Sequence, residues 1–319
     1  MHPHPASGVA AFLAGLIDYA GLYPPAALPL ADAAAHYRRY LGGPDGWMLG
    51  RFVCPAGQLA ALDGLLAPDD SCRLTVIPTG GPDAELYLGA LDADLAAARA
   101  FLDLRAPQSA IELLELRLPA GLLEPFEPGD VLRFLETLLD RIDRAGLAPR
   151  RLFVEGPFLR PDDPRTAQLV ELLHSLDADR LGFKIRTGGL NAADFPAPDA
   201  LAEALAACRD AGLPFKATAG LHHPVRSFRR EVNGEMHGFL NVFGAGVLAH
   251  ARGLDRETLA RLLSDTDAAH FRLDDAGFAW TNYHAGPTEI ALARAFATSF
   301  GSCSFDEPRE DLAGIGITL

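Results

Sequence analysis

The sequence predicts a single α/β domain over residues 1–319, a (β/α)8 TIM-type barrel with a short N-terminal helix and a C-terminal tail. Three observations predict it. Short β-like runs alternate with amphipathic helical stretches about 30 to 40 residues apart, the rhythm of parallel βα units. A length of 319 residues suits one such barrel. The rival arrangement, an open doubly wound sheet, advertises a Gly-rich phosphate loop after its first strand. Neither GxGxxG nor GxxxxGK followed by Ser or Thr occurs.

Taken in order, Ser7 is placed to cap a short first helix, followed by a strand at 16–19 and a helix at 31–41. The second strand is 47–53, with a helix near 58–66. The third, 74–77, is stopped by Pro78-Thr79-Gly80-Gly81, and its helix is 91–104. The fourth is 111–118. In the helix after it, Val131, Leu135, Leu138, Leu139 and Ile142 recur at the three-and-four spacing of a buried face. A fifth strand at 151–155 ends in Gly156-Pro157, with its helix near 165–176. A sixth at 181–187 ends in Gly188-Gly189, with its helix at 198–211. The seventh, 214–218, leads into a long loop, 219–235, and two helical stretches, 237–251 and 256–263. Residues 271–280 are expected to form the final strand or a hairpin turning at Asp275-Ala276-Gly277, before a helix at 289–298 and a tail from Gly301 to Phe305.

Composition narrows the function. A 49% apolar share with 22% charged residues fits a packed core rather than disorder. A formal net charge of −14 repels nucleic-acid backbones and anionic lipid, so neither is expected as a partner. No apolar run reaches the roughly 18 residues of a membrane span. No cationic stretch precedes an apolar core at the N-terminus, so no secretory signal is expected. Cys54, Cys72, Cys208 and Cys303 are scattered without a CxxC pair, which suits reduced thiols. A cytoplasmic protein is expected, and self-association into a homo-oligomer is left open.

Of the 28 basic residues only two, Lys184 and Lys216, are lysines. A guanidinium stays protonated and is a poor nucleophile, so the two amines invite a chemical explanation. They fall at the ends of successive strands, where barrel enzymes keep their sites. Other polar residues expected at strand ends are Asp18, Tyr19, Arg51, Glu115, Arg117, Glu155, Arg186 and Thr218, with His222 and His223 just beyond. Period two puts Lys184 with Arg186 and Lys216 with Thr218 on common faces. Cations outnumber acids in this set, which predicts a pocket for a small anionic substrate held by Arg51, Arg117 and Arg186. Structural pairing, Arg117 with Glu115 or Arg51 with Asp18, is the competing expectation. Two ammonium groups on adjacent strands would repel, lowering the pKa of at least one and freeing a neutral amine.

Phe183-Lys184-Ile185-Arg186-Thr187-Gly188-Gly189 and Phe215-Lys216-Ala217-Thr218-Ala219-Gly220 share a layout. This pair resembles the deoxyribose-phosphate aldolase group of class I aldolases, whose barrels carry a Schiff-base lysine in Lys-Thr-Ser-Thr-Gly on the sixth strand and an assisting lysine in Lys-Ala-Ser-Gly-Gly on the seventh. The resemblance covers some 40 of 319 residues. It implies that Lys184 is the nucleophile and Lys216 its tuning neighbour, with Glu115 or Glu155 relaying protons. Ile185-Arg186 replaces Thr-Ser after Lys184, and Leu221-His222-His223 follows Gly220, so the group's phosphorylated substrate does not carry over.

The expected function is therefore an aldolase-like lyase acting on a small anionic carbonyl compound, with no cofactor. The lysines could instead clamp an anion or enolate without covalent chemistry. His222 or His223 would serve as acid or base. A second hypothesis is a hydrolase, isomerase or lyase using a divalent metal on His222, His223, His237 and Glu155. A third is a non-catalytic protein that binds a small carboxylate. Tyr19 would donate to an oxyanion at the rim. Cys303 is read as structural, and Asn282, Tyr283 and His284 are candidates for reaching the site.

Overall fold

The computed structural model describes residues 7–156 and 158–319. His2, His4 and Pro157 lie outside the described residues. Helix α1 (Gly8–Leu13) is capped by the Ser7 side chain, which accepts from the Ala10 amide. It leads into β1 (Ile17–Tyr19), α2 (Leu30–Leu41), β2 (Leu49–Pro55), α3 (Leu59–Asp63) and β3 (Arg73–Ile77). Then come α4 (Ala84–Arg105), β4 (Ala110–Arg117), α5 (Pro128–Arg144), β5 (Arg151–Glu155) and α6 (Pro164–Asp177). β6 (Leu181–Arg186), α7 (Pro198–Ala211) and β7 (Phe215–Thr218) complete the regular alternation. Proline at the start of α5, α6 and α7 sets the first helical φ where no amide is needed. The stripe on α5 is buried as its spacing predicts. Helix α4 begins seven residues before the expected 91, because the Asp83 side chain caps it by accepting from the Leu86 amide.

The last quarter departs from expectation. A small hairpin, β8 (Ser227–Arg229) and β9 (Gly234–Met236), interrupts the loop after β7. Helices α8 (Phe239–Arg252) and α9 (Arg256–Ser264) follow. Residues 271–280 are not a barrel strand. β10 (Phe271–Asp274), β11 (Gly277–Trp280) and β12 (Tyr283–Ala285) form a separate antiparallel sheet, turning where Asp275-Ala276-Gly277 predicts. After the short α10 (Pro287–Ala293), the closing strand is β13 (Ala297–Ser302), followed by α11 (Asp306–Gly314). The sequence Ala-Thr-Ser-Phe-Gly-Ser carries one large apolar residue, so its strand character is hidden and it reads as helix end and tail.

The eight parallel strands close in the order β1-β13-β7-β6-β5-β4-β3-β2. Three irregularities disturb the register, one of them in β13, where Ala297 faces Phe215 but Phe300 faces Ala217. A bulge lies in β2 between the pairings Ile17 with Leu49 and Tyr19 with Phe52, and another in β4 where Leu74 faces Ile111 but Thr75 faces Leu113. Outward residues such as Val154, Phe183 and Phe215 join the helices in one apolar core, in which the Phe215 ring stacks on Phe243 of α8 at 5.7 Å. Among the described residues no helix is long and apolar enough to cross a membrane.

Within the barrel, Phe153 fills the space opposite Gly182. A Cβ at Gly182 would stand 2.5 Å from Phe153 Cε1 and 2.9 Å from the Pro214 carbonyl oxygen. Gly182→Ala should therefore overpack the interior and cost about 1–3 kcal/mol, measured by urea denaturation. An unchanged midpoint would show that Phe153 has room to move.

Candidate active site

Charges inside the barrel alternate in sign from its mouth toward its base. Arg186, the last residue of β6, donates from Nε to Glu155 Oε1 at 2.7 Å. Glu155 Oε2 lies 3.2 Å from Lys184 Nζ. Lys184 Nζ in turn lies 2.8 Å from Glu115 Oε2, whose Oε1 is 3.1 Å from Lys216 Nζ. Lys216 donates to Asp18 Oδ2 and, at 3.2 Å, to Ser299 Oγ. Asp18 Oδ1 is 3.5 Å from Arg51 NH1, and Arg51 Nε donates to Glu112 Oε2 at 2.8 Å. Four carboxylates thus alternate with four cations.

The local sequence explains this convergence. Strand alternation points Lys184 and Arg186, Glu115 and Arg117, and Lys216 and Thr218 to common faces. The bulge in β2 brings the Arg51 amide to Asp18 Oδ1, a 2.7 Å hydrogen bond, and a methyl at Gly50 would strike that carboxylate. The bulge in β4 turns Glu112 inward in addition to Glu115.

Burial and pairing set the protonation states. The Lys184 side chain is 7% exposed and Lys216 is fully enclosed, whereas Arg186 is 43% exposed. Burial alone would lower the Lys184 pKa, but Glu115 and Glu155 outweigh it and hold the ammonium above its usual range. This reverses the direction expected from lysine–lysine repulsion, because Glu115 stands between the two amines. Burial likewise opposes ionisation of Asp18, Glu115 and Glu155. Lys216 and Arg51 around Asp18, both lysines around Glu115, and Lys184 with Arg186 around Glu155 overcome it and keep these carboxyls below their ordinary range.

Other expected site residues are dispersed. Tyr19 is not at the rim: it points into the helical layer, packs edge-on to Tyr40 at 5.5 Å and meets His36 Nδ1 at 3.4 Å. Arg51 is drawn toward the start of β4 by Glu112, away from the mouth. Glu112 reduces the excess of cations to one: four acids balance four of the five, and Arg117 is the one left over. Arg117 stays at the mouth with no ion pair among the described residues, so its structural pairing with Glu115 is not found. Thr218 sits at the same level, opposite Arg186 and Gly301. His222 Nδ1 meets Glu307 Oε2 of α11 at 3.1 Å, and His223 meets Asp311. His237 is buried elsewhere, between the Pro196 carbonyl at 2.7 Å and Arg226, and burial pushes its imidazole down to about 4. His222, His223, His237 and Glu155 thus do not converge. Among the described residues no group of three or more His, Cys, Asp or Glu is arranged to hold a metal.

Sequence reasoning missed Ser299, which donates to Asp18 Oδ2 at 3.0 Å, because its strand was missed. It also missed Glu112 and Tyr23. The Tyr23 hydroxyl, on the loop after β1, is buried without a hydrogen-bond partner; burial and then the charge of Glu115 push its pKa upward. The motif Gly21-Leu22-Tyr23-Pro24-Pro25 was the available signal. Tyr283 and His284 belong to the outer sheet.

Fold and site together define a TIM-barrel protein with a charged centre open at the strand ends, where enzymes of this fold carry out their chemistry. No protein-family model and no curated protein matches the chain.

Two outcomes follow from the charge ladder. The depressed carboxyls stabilise the fold above their unfolded pKa values, and this is lost as pH falls through their folded values. The raised Lys184 contributes below its unfolded pKa and loses that contribution only as pH rises through its still higher folded one. The melting temperature should therefore be flat from about pH 7 to 10 and begin to fall below about pH 6.5, as protonation favours the unfolded state at the buried His237. It should fall further below about pH 4 as the ladder carboxyls are protonated; a steady decline as pH falls from about 9 to 7 would contradict the ladder. Lys216→Met, which leaves Asp18 buried against Ser299 without its ammonium, should cost about 3–5 kcal/mol in urea denaturation.

Proposed function

We propose that this protein is an aldolase-like lyase, forming an imine between Lys184 and a small carbonyl compound that carries an anionic group. The observation that carries the reading is the unequal access of two amines joined through one carboxylate. Lys184 keeps a narrow 7% of its side chain open beneath the mouth, while Lys216 is enclosed behind Glu115. In this reading the Lys184 ammonium gives its proton to Glu155, and the free amine attacks the carbonyl carbon. The carbinolamine then loses water to form the imine. Cleavage of the adjacent carbon–carbon bond moves its electron pair into the iminium, leaving an enamine. Glu115, ionised between both lysines, takes the proton of the substrate's β-hydroxyl as that bond breaks and the aldehyde leaves. It then returns the same proton to the enamine carbon, and water hydrolyses the resulting iminium to release the second product and the Lys184 amine. Lys216 keeps Glu115 ionised in the resting state. The resemblance of the two lysine strands to the deoxyribose-phosphate aldolase group supports the assignment of Lys184 as nucleophile.

A second reading keeps both lysines charged and uses them to stabilise an enolate. It is favoured by the two carboxylates that hold Lys184 protonated. One experiment separates the two. With a carbonyl substrate present, borohydride should trap an adduct on the Lys184 peptide, and Lys184→Arg should lower kcat by several orders of magnitude while Lys216→Arg does less. No adduct, together with near-normal turnover of Lys184→Arg, would leave the enolate-stabilising reading in its place.

A further inference from the structure

The cations of the charge ladder are all committed to carboxylates, so none is free to receive an anion. Arg186 is held by Glu155, both lysines by acids, and Arg51 by Asp18 and Glu112. Arg117 differs. It ends β4 on the same face as Glu115, is exposed, and has no ion pair or hydrogen bond among the described residues. It lines a cavity of about 460 Å³ whose opposite wall is the Thr79-Gly80-Gly81 turn after β3.

That turn is built to be rigid and bare. The Thr79 amide and hydroxyl donate to the two oxygens of Asp94 at 2.6 and 2.8 Å, which fixes the turn to α4. Gly80 has a φ of 78°, where a side chain would be strained. A Cβ on Gly81 would stand 2.5 Å from the Tyr87 backbone nitrogen, so the turn can hold no side chain there. Neither glycine amide donates to another backbone group among the described residues. An unpaired guanidinium facing a side-chain-free turn with spare amides suits an oxyanion, which needs both charge and several donors.

We propose that Arg117 and the Gly80-Gly81 turn form the subsite for the anionic head group, phosphate or carboxylate, of the molecule whose carbonyl meets Lys184. This rests on the reading above for the carbonyl end only. Spacing fixes the ligand's length. Arg117 lies two residues beyond Glu115 on an unbroken strand, about 7 Å, and Glu115 touches Lys184. A carbonyl at Lys184 and an anion at Arg117 therefore require a chain of about three to five carbons.

The test is equilibrium binding, which needs no turnover. Inorganic phosphate and, separately, acetate are titrated calorimetrically into the wild-type protein, Arg117→Gln, Arg117→Lys, Arg186→Gln and Lys184→Arg. At least one anion should bind the wild type. Arg117→Gln should weaken it about tenfold and Arg117→Lys less, while Arg186→Gln and Lys184→Arg change it by no more than about twofold. The anion that binds identifies the head group. Binding of neither, binding untouched by Arg117→Gln, or loss centred on Arg186→Gln would overturn the subsite. Because Arg117 has no partner to lose, unaltered melting of its variants separates lost binding from lost fold. The Lys184→Arg titration keeps this result independent of borohydride trapping.

Discussion

The alternation of charge across the barrel interior is the constraint on which the rest of this structure depends. Each of Asp18, Glu115 and Glu155 is shared between two cations, and each of the two lysines between two acids. Taking such groups out of water costs several kcal/mol apiece, and mutual attraction repays this only where every partner is in place. An apolar filling of the same volume would be at least as stable. A barrel that keeps the charges is therefore organised around something other than stability. The stability itself resides outside the ring of strands, in the continuous apolar layer where Phe183, Phe215 and Val154 meet the helices.

The ladder also has a direction. Its upper end, at Arg186 and Glu155, opens to solvent, its middle admits Lys184 narrowly, and Lys216 with Asp18 is closed off entirely. At the other end Arg51 and Glu112 meet solvent again, where Glu112 also lies 3.5 Å from the exposed Arg150, so the closed pair sits between two wetter ends. From the mouth inward Glu155 and Lys184 come first, and Glu115 links them to the enclosed pair. The bulges in β2 and β4 serve this geometry, since without them neither the Arg51 amide nor Glu112 would reach the interior from strands of regular pleat.

Much of this was legible in the sequence. Seven of the eight barrel strands stand where β-like runs end in glycine or proline, and the lysines stand out through the scarcity of their kind. Period-two alternation correctly paired Lys184 with Arg186 on one face. The failures have physical causes. Ala297–Ser302 lacks the apolar weight of a strand because its inward positions carry small and polar residues against the charged centre. Residues 271–280 do have that weight, but spend it on an outer antiparallel sheet. Glu112 and Arg51 turn inward at bulges, which leave no mark in composition. The sign of the Lys184 shift depends on Glu115 lying between two amines, a fact of three dimensions that strand-by-strand reading cannot supply.

The late position of the closing strand bears on how the protein is made. Ser299 and Asp18 touch across 281 positions of sequence, and Lys216 and Asp18 across 198. As the chain leaves the ribosome, β1 and β7 remain unpaired sheet edges until residues 297–302 emerge between them. Throughout that interval Lys216 has no Ser299 beside it and Asp18 faces an open seam. Contacts this distant in sequence form slowly, and exposed edges invite pairing with other chains. Inward-pointing charges are one of the features that blunt an open sheet edge, and Asp18 and Lys216 stand on the two edges that wait for this strand.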